Sequence, residues 1–107
     1  MAISPTQRTL KRLRDSGDYP LVTIVERWNA FAKIRQDLFG IIDILAIDSK
    51  GNTVGLQVTS YSNISARVKK MEDSDAISHL RDANWKLIVE GWHKKDNKWV
   101  SRIVDIS

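Results

Sequence analysis

The chain has no cysteine, which excludes disulfides, thiolate zinc sites and cysteine nucleophiles. It has two histidines, His79 and His93, far apart and without metal-ligand spacing, so no histidine-built metal site is expected. No apolar run approaches the length of a membrane span. The N-terminal stretch is basic and has no signal-peptide core, so an intracellular protein with no membrane partner is expected. Neither an internal repeat nor a low-complexity stretch is present. What remains is a chain of 107 residues, 42% apolar and 28% charged. That composition fits one small folded domain over residues 1–107, with no room for a second core.

Acids are scarcer than bases: 13 Asp and Glu against 17 Lys and Arg, a net charge of +4. The distribution says more than the total. Residues 1–14 hold Arg8, Lys11, Arg12 and Arg14 and no acid. Arg67, Lys69 and Lys70 form a second basic cluster, and His93, Lys94, Lys95 and Lys98 a third. Such clusters suit a polyanionic partner, or they simply solvate a surface.

Ser4-Pro5 marks a helix start, Leu10 and Leu13 give it a narrow apolar stripe, and Ser16-Gly17 stops it. Leu21 to Glu26 is a β-branched run that predicts a first strand. Trp28 to Ile34 reads as a loop or irregular segment crossing the sheet. Residues 39–47 predict a second strand, Asp48 to Asn52 a hairpin turn, and residues 53–59 a third strand. Ile64 to Met71 predicts a helical turn, and Asp73 to Ala83 a clearer helix with Ala76, Ile77, Leu80 and Ala83 on one face. Residues 85–92 and 99–104 predict the last two strands. The expected fold is α/β, a single domain with a mixed central β-sheet flanked by helices. The four tryptophans read as core or strand-pair aromatics, and His79 as a surface residue.

Asp43 interrupts the apolar run Ile41-Ile42-Asp43-Ile44-Leu45-Ala46. A buried carboxylate is costly unless it is paired or binds a metal. Gln57 and Thr59, two apart in a strand, point to the same face, and a hairpin brings Asp43 close to both. The Gln57 side-chain carbonyl and the Val58 backbone carbonyl are hard oxygen donors, and Glu26 offers a second carboxylate. That donor set suits Mg²⁺ or Mn²⁺ holding a phosphate. Other readings stand beside this one. Asp43 would cap a turn or pair with Arg35 or Arg27, Gln57 and Thr59 would be ordinary strand residues, and Asp37 would organise the backbone before Leu38-Phe39-Gly40.

The order of elements, with Asp43 on one strand and Gln57-Val58-Thr59 on the next, resembles the PD-(D/E)XK nuclease superfamily. The likeness extends through Val25 to Asn29, Arg35 to Asp43 and Gln57 to Ser60. Over these runs the chain is similar to small phage-encoded nuclease-like proteins of the VRR-NUC or Holliday-junction-resolvase kind. The resemblance implies a restriction-endonuclease-like αβββαβ core. It also implies a catalytic set of Glu26, Asp43, Gln57 and Thr59, and a metal site of Glu26, Asp43, Gln57 and Val58. The implied activity is Mg²⁺- or Mn²⁺-dependent hydrolysis of DNA, selective for branched or junction structures. Arg8, Lys11, Arg12, Arg35, Ser60, Arg67, Lys69 and Lys70 would hold the DNA backbone. A homodimer with two sites is expected.

One departure matters. Thr59 stands where the superfamily has Lys, and a hydroxyl carries no positive charge. Arg67 or Lys69, from the following helix, is the expected replacement. The competing reading is a nuclease-fold protein that binds nucleic acid without cleaving it. A third is a structural or protein-interaction domain.

Overall fold

The computed structural model describes residues 3–107. Helix α1, Pro5–Ser16, begins where the Ser4 hydroxyl accepts the Gln7 amide at 3.2 Å. It ends at Gly17, whose φ of 76° is the left-handed stop that glycine adopts without strain. Strand β1 is Leu21–Ile24, and a short hairpin of β2, Arg27–Asn29, and β3, Ile34–Gln36, follows. Strands β4, Ile44–Ile47, and β5, Thr53–Ser60, come next. A 3₁₀ turn at Tyr61–Asn63 leads into α2, Ile64–Glu72, and α3, Ala76–Asp82. Strands β6, Lys86–Lys95, and β7, Lys98–Asp105, close the chain.

The main sheet has the order β1-β4-β5-β6-β7. Only β5 and β6 run parallel; the other neighbours are antiparallel. A parallel pair needs a crossover, and α2 with α3 supplies it. This is the expected mixed sheet flanked by helices. Central β5 is buried from Val54 to Thr59, so both of its faces are covered.

Alternation along β5 assigns those faces. Val54, Leu56 and Val58 pack with Leu10 and Leu13 of α1 and with Ile44 and Ala46. Full burial of each such leucine contributes roughly 1.5–3 kcal/mol. Gly55, Gln57 and Thr59 look the other way, toward the core of Ile42, Ile64, Met71, Leu80, Leu87 and Val89. At Gly55 a Cβ would lie 2.7 Å from Ile42 Cδ1, so the missing side chain lets Ile42 settle on the sheet.

Two expectations change. The strand expected over 39–47 is regular only from Ile44, because Leu38 to Ile42 folds into a tight turn. In it the amides of Ile41 and Ile42 reach the Leu38 carbonyl at 3.1 and 3.0 Å. Phe39 and Gly40 adopt φ of 54° and 78° there. The segment expected to be irregular, Trp28 to Ile34, forms most of the β2–β3 hairpin. The tryptophans divide as well: Trp85 and Trp92 pack against the two cores, while Trp28 and Trp99 are exposed. His79 is exposed, as expected. Among the described residues no helix is long and apolar enough to cross a membrane.

Candidate metal centre

Asp43 immediately precedes β4 and is held as firmly as a strand residue. Its amide donates to the Leu56 carbonyl at 2.8 Å, and its carbonyl accepts the Val25 amide at 2.9 Å. Ile44 pairs with Leu56, so Asp43 faces Gln57 across the hairpin. Asp43 Oδ2 accepts Gln57 Nε2 at 2.5 Å and the Val58 amide at 2.9 Å. The Val58 carbonyl was the expected ligand; what Val58 contributes here is its N–H.

Two more carboxylates join Asp43. Oxygens of Glu26, Asp37 and Asp43 lie within 4.8 Å of one another, so the three residues could hold a metal ion. Glu26 lies between β1 and β2. Asp37 follows β3 and is turned back toward Asp43 by the left-handed turn at Phe39 and Gly40. The backbone role expected of Asp37 is one it does fill: its carbonyl accepts the Gly40 amide at 2.9 Å. Its side chain, unforeseen, is part of the cluster.

Few cations offset this charge. Lys70 Nζ lies 3.5 Å from Asp37 Oδ2, and Arg35 Nη1 lies 3.6 Å from Glu26 Oε1. Both side chains are substantially exposed. Asp43 is 5% exposed, and its carboxyl is pushed up to about 7 from an ordinary 3.8. Burial is the main cause, and a side-chain hydrogen bond and charge repulsion with Asp37 add to it. The Val58 and Gln57 donors oppose the rise without cancelling it.

The donor set fits a hard divalent cation. Gln57 is fully buried, and its Oε1 is the one buried side-chain polar atom among the described residues with no hydrogen-bond partner. Its orientation is dictated by chemistry. Nε2 must face the carboxylates of Asp43 and Asp37, at 2.5 and 3.4 Å, because an oxygen there would repel them. A cation among Glu26, Asp37 and Asp43 would balance their charge, and the orphaned Gln57 oxygen would join it once the amide turned over, since the metal removes the repulsion that now keeps Nε2 on that side. A cavity of about 420 Å³, lined by Arg35, Gln36, Asp37, Gly40 and Lys70, opens beside the cluster.

Thr59 lies on the same strand face as Gln57 and is buried, paired in register with Gly91. The donors to Asp37 and Asp43 are Gln57, Val58 and Lys70, with none from Thr59. The expected replacement cation was Arg67 or Lys69. The lysine at the cluster is Lys70, one residue on, while Lys69 turns away to Asp73 at 2.7 Å.

The basic residues of α1 lie on the opposite face of the sheet. Arg12 donates from Nε and Nη2 to Glu90 at 2.7 and 3.0 Å. Glu90 is fully buried and also accepts the hydroxyls of Thr9 and Ser101 at 3.1 and 2.7 Å. Arg12 therefore has a structural partner, and Glu90 was missed although it too interrupts an apolar strand. Arg8 stacks over Trp99 at 3.9 Å, and Lys11 pairs with Asp15 at 2.6 Å. Ser60 exchanges a hydrogen bond with Ser62 at 3.4 Å and accepts one from Asn63 at 3.0 Å.

No family model matches the chain, and no curated protein or solved structure matches it.

Proposed function

We propose that this chain is a metal-dependent DNA endonuclease of the PD-(D/E)XK kind, selective for branched or junction DNA and working as a homodimer. One observation carries the reading. Asp43 and Gln57 meet across adjacent strands, with Glu26 and Asp37 in reach and a lysine at their edge. Glu26, Asp37 and Asp43 would hold the ion, joined by Gln57 Oε1 once its amide has turned over, Mg²⁺ or Mn²⁺ by the hardness of the donors. When bound, such an ion supplies Lewis acidity toward a phosphodiester.

The chain's own residues divide the remaining work. Before the ion binds, Gln57 bridges Asp43 and Asp37 and keeps two like charges in one place. Val58 fixes the Asp43 oxygen through its amide. Lys70 brings the positive charge that Thr59 lacks, at the cavity where a phosphate would lie. The Thr59 hydroxyl orients a water. Arg35 and Lys70 flank the cavity and contact the DNA backbone, with Arg67 one turn earlier on α2.

The test is nicking of linear, flapped and four-way DNA with and without Mg²⁺ or Mn²⁺. Cleavage that needs the metal and vanishes in Asp43→Ala supports the reading; equal cleavage by the variant sinks it. The second reading, a non-cleaving DNA-binding protein, is favoured by one observation: Lys70 is already engaged by Asp37. It predicts binding that chelators leave unchanged and no cleavage with any metal.

A further inference from the structure

The β2–β3 hairpin carries a feature that the metal centre does not use. Its residues, 27–36, hold Arg27, Lys33 and Arg35 and no acid. Phe31 at the tip is fully exposed, Trp28 is 62% exposed, and Ile34 is 51% exposed. A two-stranded ribbon rarely stands alone in water, and large apolar side chains at its surface mark a binding element.

The tip is ordered from within. Asn29 Oδ1 accepts the amides of Phe31 and Ala32, both at 3.0 Å, and Lys33 takes a left-handed φ of 54°. Trp28 and Arg35 are paired in register, so an exposed aromatic and a cation share one side of the ribbon. The hairpin is also tied to the acid cluster at both ends. Glu26 precedes it and Asp37 follows it, and Arg35 reaches back to Glu26 at 3.6 Å. Whatever the ribbon grips is therefore held at a fixed place relative to those carboxylates.

Aromatic faces beside cations, with no acid between them, match a strand of nucleic acid whose bases are unstacked. A second copy of the same ribbon is disfavoured, because two sets of three cations would face each other. We propose that the hairpin is a wedge that stacks Phe31 and Trp28 on unpaired bases and delivers the neighbouring phosphodiester to the acid cluster. This rests on the reading of that cluster as a nuclease centre, and it names the substrate feature selected: unpaired DNA at a branch.

The experiment measures binding of the full chain to labelled single-stranded, blunt duplex and flapped DNA by fluorescence anisotropy in chelator. The parent should bind the single strand and the flap at least about tenfold tighter than the blunt duplex. Trp28→Ala combined with Phe31→Ala should lose that preference, base–aromatic stacking being worth about five- to hundredfold for each ring removed. Blunt-duplex binding should stay within about twofold, and the single variant Phe31→Trp, which keeps an aromatic face at the tip, should retain the parent's preference. A double variant that binds all three as the parent does overturns the proposal. So does one that weakens all three equally, or a parent that prefers phosphatidylcholine vesicles to unpaired DNA. Metal-dependent cleavage is scored separately. Selective binding without cleavage supports the wedge and removes the nuclease reading; cleavage with unaltered hairpin variants does the reverse.

Discussion

Asp43→Asn should stabilise the metal-free protein at neutral and alkaline pH. Asp43 is buried beside Asp37, and its carboxyl is raised from 3.8 to about 7 on folding. A group raised in the folded state holds its proton there after the unfolded chain has released it. Its contribution to stability is complete below about pH 4, declines as pH rises, and is lost once pH passes about 7. The full difference corresponds to roughly 4 kcal/mol, at about 1.4 kcal/mol per tenfold change in proton affinity. Because part of the rise comes from the neighbouring Asp37 carboxylate, roughly 2–4 kcal/mol is the range to expect. Asparagine has the same shape and does not ionise. Its Oδ1 can take the Val58 and Gln57 donors, and its Nδ2 can donate to Asp37. Urea unfolding in chelator, followed by tryptophan fluorescence from pH 4.5 to 9, gives the stabilities. The variant should match the parent within about 1 kcal/mol at pH 4.5 and exceed it by roughly 2–4 kcal/mol at pH 8. Added Mg²⁺ should then stabilise the parent alone, by about 2.7 kcal/mol at a hundred times Kd, offsetting most or all of that difference. Parallel pH curves, or a variant weaker than the parent at pH 8, would refute the description of Asp43 as a buried charge lacking a counter-ion.

Lys70→Met should lower metal-dependent cleavage by about 10²- to 10³-fold, the cost of losing one charge-stabilising group; Lys69→Met, paired away from the cluster, should leave it within about threefold, and equal losses would remove Lys70 from its role. Arg12→Met should destabilise the fold by about 3 kcal/mol, because Glu90 would stay buried with only hydroxyl donors; urea unfolding reads this, and a change below about 0.5 kcal/mol would contradict the buried pair. Gly91→Ala should cost about 1–3 kcal/mol, since its Cβ would meet Ile64 Cγ1 at 2.4 Å and the Ser60 carbonyl at 3.0 Å; a shift in thermal midpoint checks it, and an unchanged midpoint would mean that Ile64 has room to move.

The meeting of Asp43 and Gln57 was legible because two local rules agree. The Asp48–Asn52 turn fixes a hairpin, since Asp48 accepts the amides of Lys50 and Asn52 at 3.0 and 2.8 Å. Strand alternation then sets which side chains face each other across it. Asp37 was not legible, because residues 39–47 read as one continuous strand. Nothing in that run announces that Phe39 adopts a left-handed angle and folds the chain back. The helix supplying the cation was identifiable, but not which of its faces. One residue rotates a helix by about 100°, and that separates Lys69 from Lys70.

The two buried acids sharpen the criterion that first drew attention to Asp43. An acid inside an apolar strand describes Glu90 equally well, so burial alone does not distinguish a structural carboxylate from a functional one. The partners do. Glu90 lies against a guanidinium and two hydroxyls, which balance its charge and fill its lone pairs. Asp43 lies against Gln57, a backbone amide and a second carboxylate. These satisfy its geometry and leave its charge unbalanced. A fold that needed only a polar anchor would have given Asp43 a cation, as it gave Glu90 the arginine of a helix on the other side of the sheet. A buried acid whose nearest ionisable neighbour is another acid could hold a metal ion with it, and that is the feature Asp43 has and Glu90 lacks.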